Sequence, residues 1–179
     1  IKYKNTIVND EDRKYNELDL CSITWLPNSN IIEINNMLAV NECDRCDIIY
    51  SPSVYEHRKS WMSHSKSSEY KYPCIHSITT NGTRYMYSKV NNRGHFGISK
   101  VIISETGFNG VIIDIKGEYG MTNGAMGIKI YTLEEGKNIK QAVENISFTR
   151  LVKSYSWSIY RIDWNIIKLF KKDFWRDFI

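Results

Sequence analysis

The stretch KYPCIHSITTNGTRYMYSK, residues 71–89, decides the fold. Asn81-Gly82 lies between two runs rich in Thr, Tyr and Ile. Such a pair between β-prone runs is the signature of a type I′ hairpin, whose two central residues both need φ > 0. The reading predicts one strand over 72–80 and a second over 83–89. Along the second, Arg84 has the opposite parity to Tyr85 and Tyr87, so one face is expected to be aromatic and the other basic.

Toward the C-terminus, 101–103 and 111–113 are apolar β-branched runs split by Gly107-Phe108-Asn109-Gly110. They read as two buried strands joined by a tight loop. A glycine-rich loop over 117–124 leads to a further strand over 125–132. Thr132 then suits an N-cap, with Glu135 at the capping-box position. Ile139, Ala142, Val143 and Ile146 make the expected buried stripe of that helix. Phe148, Leu151, Val152 and Tyr155 suggest a second helix, and Ile162, Ile166, Leu169 and Phe170 a third.

Toward the N-terminus, 47–50 reads as a strand ended by Pro52. Ile31, Ile34, Met37 and Leu38 repeat at helical spacing after Asn30, a candidate cap, and 21–26 alternates like a short strand. Residues 1–20 are polar and acidic without a clear period. Strands followed by helices argue for an α+β fold. The expected architecture is a mixed, largely antiparallel sheet over 47–132 packed with C-terminal helices over 133–179. Residues 1–46 form an opening segment, either part of the same domain or the remnant of an upstream one.

The 179 residues suit one domain, and no apolar run approaches the ~18 residues of a membrane span. No leader opens the chain, which starts on Ile1; partner domains in a longer protein and a cytoplasmic setting are the expectation. The four cysteines then read as reduced thiols. Cys43 and Cys46 have zinc-knuckle spacing, but no second pair follows, so the plainer reading is two thiols in a loop.

Charge is unevenly distributed. Residues 1–56 carry 5 Lys/Arg against 10 Asp/Glu, whereas 57–100 carry 8 against Glu69 alone. A solvated surface normally mixes both signs. Removal of nearly all acids over such a length fits a surface that meets a polyanion.

Most enzyme signatures are absent: there is no GxGxxG after a strand, no GxxxxGK[ST], no GxSxG and no HExxH. One catalytic pattern survives. Glu105 near the end of one strand and Asp114-Ile115-Lys116 at the end of the next have the spacing of PD-(D/E)xK nucleases, in which carboxylates hold a divalent metal and the lysine steadies the attacking water. Charged residues at solvent-facing strand ends explain the same pattern without chemistry.

The basic stretch interleaves cations with aromatics and amides. Arg58, Lys59, Trp61, His64, Lys66, Arg84, Asn91, Asn92, Arg93, His95 and Lys100 are the candidates for contact with DNA. Lysines hold phosphates; Arg and Asn pair with base edges. The turn Asn91-Asn92-Arg93-Gly94 offers directional donors beside a glycine that permits close approach.

Three blocks carry a resemblance: Lys71-Tyr72-Pro73-Cys74-Ile75-His76-Ser77, Arg84-Tyr85-Met86-Tyr87-Ser88, and 94–102 with its Gly94-His95-Phe96-Gly97. With Gly117-Glu118-Tyr119-Gly120-Met121-Thr122 and the ending 170–175, they resemble the C-terminal region of adenine-N6 DNA methyltransferases of restriction-modification systems and large DNA viruses. The resemblance covers roughly 47–179 and implies a target-recognition domain that clamps double-stranded DNA. It implies that 94–100 and 119–122, with Tyr119 and Thr122, line or shape the DNA face. It also implies an upstream catalytic domain of the same chain that uses S-adenosylmethionine. The closest string here to that domain's base-binding Asn/Asp-Pro-Pro-Tyr/Phe loop is Ser51-Pro52-Ser53, so this segment is expected to bind and not to methylate.

Overall fold

The computed structural model describes residues 6–9, 15–18, 29–155, 162 and 164–179, the first two stretches as backbone only. The fold is α+β. Strands β1 (Thr6–Asn9) and β2 (Tyr15–Leu18) form a separate antiparallel pair. The expected single sheet is two. The first has the order β3-β10-β7-β8, from Ile48–Ile49, Ala125–Lys129, Lys100–Ser104 and Gly107–Asp114. The second has the order β4-β6-β5-β9, from Met62–Ser63, Gly82–Ser88, Tyr72–Thr79 and Gly120–Met121. All pairs are antiparallel except β5 with β9.

The first sheet is the middle layer, and this is why its strands are continuous apolar runs. Val101, Ile103, Val111, Met126 and Ile128 pack against helices α1 (Ile31–Met37), α2 (Leu133–Glu144), α3 (Ile146–Tyr155) and the C-terminal aromatics. Residues of opposite parity, Ile102 and Ala125, pack against Ile75, Ile78 and Met121 of the second sheet. All five residues of β7 are buried. On the outer face of the second sheet a third cluster joins Cys74, Met86 and Met62 to Tyr55, Trp61, Val90 and Phe96 of the covering loops.

Residues 29–46 belong to this domain. Ile34 and Met37 enter the helical core, and 38–46 is tied to the C-terminus through Leu38↔Phe170 and Arg45↔Lys171 bridges. Phe148 organises that end, with Phe170, Phe174 and Phe178 around it at ring-centroid distances of 5.2–6.2 Å.

Four local expectations are corrected. The hairpin is present, but Thr79 pairs with Gly82 and the turn is Thr80-Asn81. Only Gly82 takes a positive φ, +119°, so the turn is not type I′. Asn30 is not a side-chain cap; it sits at φ 54° and its amide donates to Ser154 Oγ. Ile146 is 80% exposed, because α2 ends at Glu144 and Ile146 opens α3. The third helix shrinks to α4 (Trp164–Ile167), followed by a 3-10 turn at Phe174–Phe178. By contrast Thr132 does cap α2, its hydroxyl accepting from Glu135 N at 3.1 Å. The strand expected over 21–26 lies outside the described residues.

Candidate nucleic-acid interface

The outer face of the second sheet carries part of the basic stretch. Strand parity places it: Cys74 and Met86 pair across β5 and β6 with both side chains buried in the outer cluster, so Arg84, two residues from Met86, points to the same side. The expected basic face of β6 is therefore reduced to its tip, since Met86 and Ser88 are buried. Tyr85 and Tyr87 lie on the opposite side, and Tyr85 meets Tyr119 at 6.2 Å.

The covering loops present the other cations. Trp61 is fixed by its indole N–H to Val54 O at 3.0 Å. The Arg93 guanidinium lies 4.1 Å from the Trp61 ring centroid and the Lys59 ammonium 5.7 Å. Backbone N–H of Arg93 donates to the Tyr55 hydroxyl, which anchors the turn. Asn91, Asn92, Arg93 and Gly94 are all exposed, as are His64, Lys66 and Arg84. Lys71 lies over Tyr72 at 5.2 Å. Arg58 is exposed but ion-paired with Glu56, and Lys89 pairs with Glu69 at 3.3 Å. Among the described residues, Lys59, Lys66, Lys71, Arg84 and Arg93 have no carboxylate partner.

Lys100, His95 and Thr122 do not belong to any surface. Lys100 is wholly buried and its ammonium has three acceptors: Asp114 Oδ2 at 2.6 Å, His95 O at 2.9 Å and Ile98 O at 3.1 Å. Asp114 in turn accepts from the backbone N–H of Glu118 and Tyr119. Burial alone pulls the Lys100 pKa down, and the adjoining carboxylate opposes this. His95 Nδ1 accepts from Met121 N at 3.2 Å, and burial followed by the Lys100 charge lowers its pKa to about 4. Thr122 Oγ1 is taken by His76 Nδ1 at 2.8 Å and Gly124 N at 3.3 Å. These contacts tie loop 94–99 to loop 115–122. Their backbones touch at Gly117, whose φ is +70° and where a Cβ would meet Ile98 N at 2.4 Å. Tyr119 is half-buried, with its phenol pKa raised by burial first and Tyr85 second. Of the residues expected in loops 94–100 and 119–122, the buried His95, Lys100 and Thr122 thus brace these loops internally, whereas Gly94 is exposed and Tyr119 half-exposed.

The nuclease geometry is not formed. Lys100 pairs with Asp114 at one end of the β7–β8 hairpin, whereas Ser104, next to Glu105, pairs with Gly107 at the other. Lys100 and Ser104 are four residues apart along β7, roughly 13 Å at the usual rise, and Glu105 lies beyond Ser104. Asp114 is occupied by Lys100, and Lys116 is exposed in a turn after the strand. Among the described residues Cys43 and Cys46 do not form a zinc site either. Cys43 is exposed, while Cys46 is buried against Lys171 O with its thiol pushed up to about 12 by burial and the nearby Asp47. No group of three His, Cys, Asp or Glu that could hold a metal occurs among the described residues.

One feature escaped the sequence reading. The ring partnerships of Lys59, Lys71 and Arg93 depend on the third dimension, although spacing of one or two residues between cation and ring hints at the first two. No family model, curated protein or solved structure matches the chain.

Proposed function

We propose that the chain is a DNA-binding target-recognition module that holds duplex DNA on the outer face of the second sheet. The observation that carries this reading is the set of five cations without an acid partner among the described residues, Lys59, Lys66, Lys71, Arg84 and Arg93. Three of them rest on aromatic rings. A surface cation left without a counter-charge costs little in water and is available to a phosphate, whose binding releases counterions. The resemblance to adenine-N6 DNA methyltransferases supports the same partner. On that reading methyl transfer belongs to an upstream catalytic domain of the same chain that binds S-adenosylmethionine in the cytoplasm, and no residue of this segment is assigned to the cofactor. No helix among the described residues is long and apolar enough to cross a membrane.

Base reading is assigned to Arg93. Its guanidinium lies over the Trp61 ring and its backbone is anchored on Tyr55, so its donors project from a fixed point. A bidentate contact to guanine contributes about 1–3 kcal/mol of discrimination. Selection from random duplexes should enrich a defined site with the parent protein. Arg93→Ala should relax one base pair of that site while binding to unrelated duplexes changes little. An unselective parent, or an Arg93→Ala profile identical to it at every position, would contradict the assignment.

A further inference from the structure

The register of the second sheet brings several cations to one line at one of its ends. Ser88 of β6 pairs with Met62 of β4 on one side and with Tyr72 of β5 on the other. One step further along the same register are Trp61, Lys89 and Lys71, and Lys89 N–H donates to Trp61 O at 3.0 Å. Three strands thus set Trp61 and Lys71 two inter-strand spacings apart, roughly 10 Å. Tyr70 spans the same line. Its hydroxyl donates to Ser60 O at 3.1 Å, which ties the segment leading into β5 to the one leading into β4.

Each cation on the line lies over a ring. The Arg93 guanidinium and the Lys59 ammonium share Trp61, at 4.1 and 5.7 Å from its centroid. Lys89 lies 5.7 Å from the Tyr70 centroid and Lys71 5.2 Å from that of Tyr72. A ring positions a cation without cancelling its charge. The rings are themselves held: Trp61 by its bond to Val54 O, and Tyr72 by Phe96 of the outer cluster at 5.9 Å. The acid on the line is Glu69, exposed and paired with Lys89 at 3.3 Å. An exposed pair of this kind is weak and screened by salt, so a phosphate can displace the carboxylate.

We propose that Lys59, Arg93, Lys89 and Lys71 form a track for the phosphodiester backbone of one unpaired nucleic-acid strand, with Glu69 holding the middle cation in the free protein. A line of cations along one end of a sheet follows a single backbone and needs no second strand across a groove. Positive tracks combined with aromatic rings take single strands with little regard to sequence. The inference deepens the DNA-binding reading by adding the single strand as a ligand. It rests on that reading for the polymer and not for the phosphate.

The test compares three ligands: a mixed-sequence single strand of about ten nucleotides, a duplex of the same length, and inorganic tripolyphosphate. The parent should bind the single strand. E69Q, at an exposed position, frees Lys89 and should bind it about threefold more tightly, a gain that misfolding cannot produce. K59Q/K71Q should bind it at least fivefold more weakly, with a salt slope reduced by about 0.7 per lost contact. K137Q, on α2 in the helical layer, should stay within twofold of the parent. Duplex binding without single-strand binding, or an E69Q affinity no higher than the parent's, would overturn the track and leave the DNA reading intact. Tripolyphosphate binding that E69Q strengthens, with no affinity for either polymer, would overturn the DNA reading and confine the track to free polyphosphate.

Discussion

Residues 57–93 and 94–122 both carry cations, histidine and aromatic rings, although glycine and apolar runs are concentrated in the second. The structure sends them to opposite fates. In the first, Arg84, Arg93 and Lys66 are exposed and lack acid partners among the described residues. In the second, Lys100 and His95 are buried and every donor of the ammonium is used. The difference follows from where each residue sits relative to the middle sheet. Lys100 begins a strand buried on both faces, so its charge is tolerable only with Asp114 opposite it in register. The basic residues of 57–93 lie on loops and strand ends outside the outer cluster, where water is the alternative partner. A high local charge thus serves two ends, and burial decides which.

The largest expected effect breaks the inner region. Lys100→Met leaves the Asp114 carboxylate buried without its cation and should cost about 3–5 kcal/mol in urea unfolding. A loss below about 1 kcal/mol would mean that the pair does not hold loops 94–99 and 115–122 together. DNA affinity of the folded fraction should stay within about twofold, since the surface cations are untouched.

Next is the acid response of His95. Its pKa is about 4 in the fold, against 6.5 for the ordinary side chain. The unfolded chain therefore binds more protons between these values, and stability falls as the pH drops from 6.5 toward 4. The loss is absent above pH 6.5 and reaches roughly 3 kcal/mol by pH 4. His95→Gln should flatten this part of the stability profile. An unchanged slope in that variant would place the acid sensitivity elsewhere.

The smallest effect sharpens the comparison within the outer region. Arg58 is neutralised by Glu56, whereas Lys66 has no acid partner among the described residues. Lys66→Glu should weaken duplex binding several-fold and Arg58→Glu by less than half as much, in parallel titrations at one salt concentration. Equal effects would mean that pairing with Glu56 does not matter in the complex.

The hairpin, both buried strands, the capped helix and the α+β class were legible because each has a local cause: turn chemistry, continuous apolar runs and a capping box. The split into two sheets was not, since alternation within a strand says which faces are buried but not which neighbour buries them. The turn misread has a similar origin: Gly82 supplies the positive φ from the first position of β6. In the candidate site, Arg93, Trp61, Lys59, Lys66, Arg84 and His64 were legible from charge and aromatic interleaving. Lys100 was misplaced because its carboxylate partner lies 14 residues downstream and is opposite it only through β7–β8 pairing. The same register undoes the nuclease pattern, for it commits Asp114 to Lys100 and puts Glu105 at the far end.

The central claim, that the outer layer meets a polyanion through Lys66, Lys71 and Arg84 among others, is tested most directly by salt dependence. Duplex affinity is measured from low to moderate salt for the parent and for the K66E/K71E/R84E variant. The parent should show a steep fall of log affinity with log salt concentration. The variant should bind at least tenfold more weakly at low salt, with a slope reduced by about one unit per lost phosphate contact and urea stability within about 1 kcal/mol of the parent. A variant that keeps both the affinity and the slope of the parent would contradict the account.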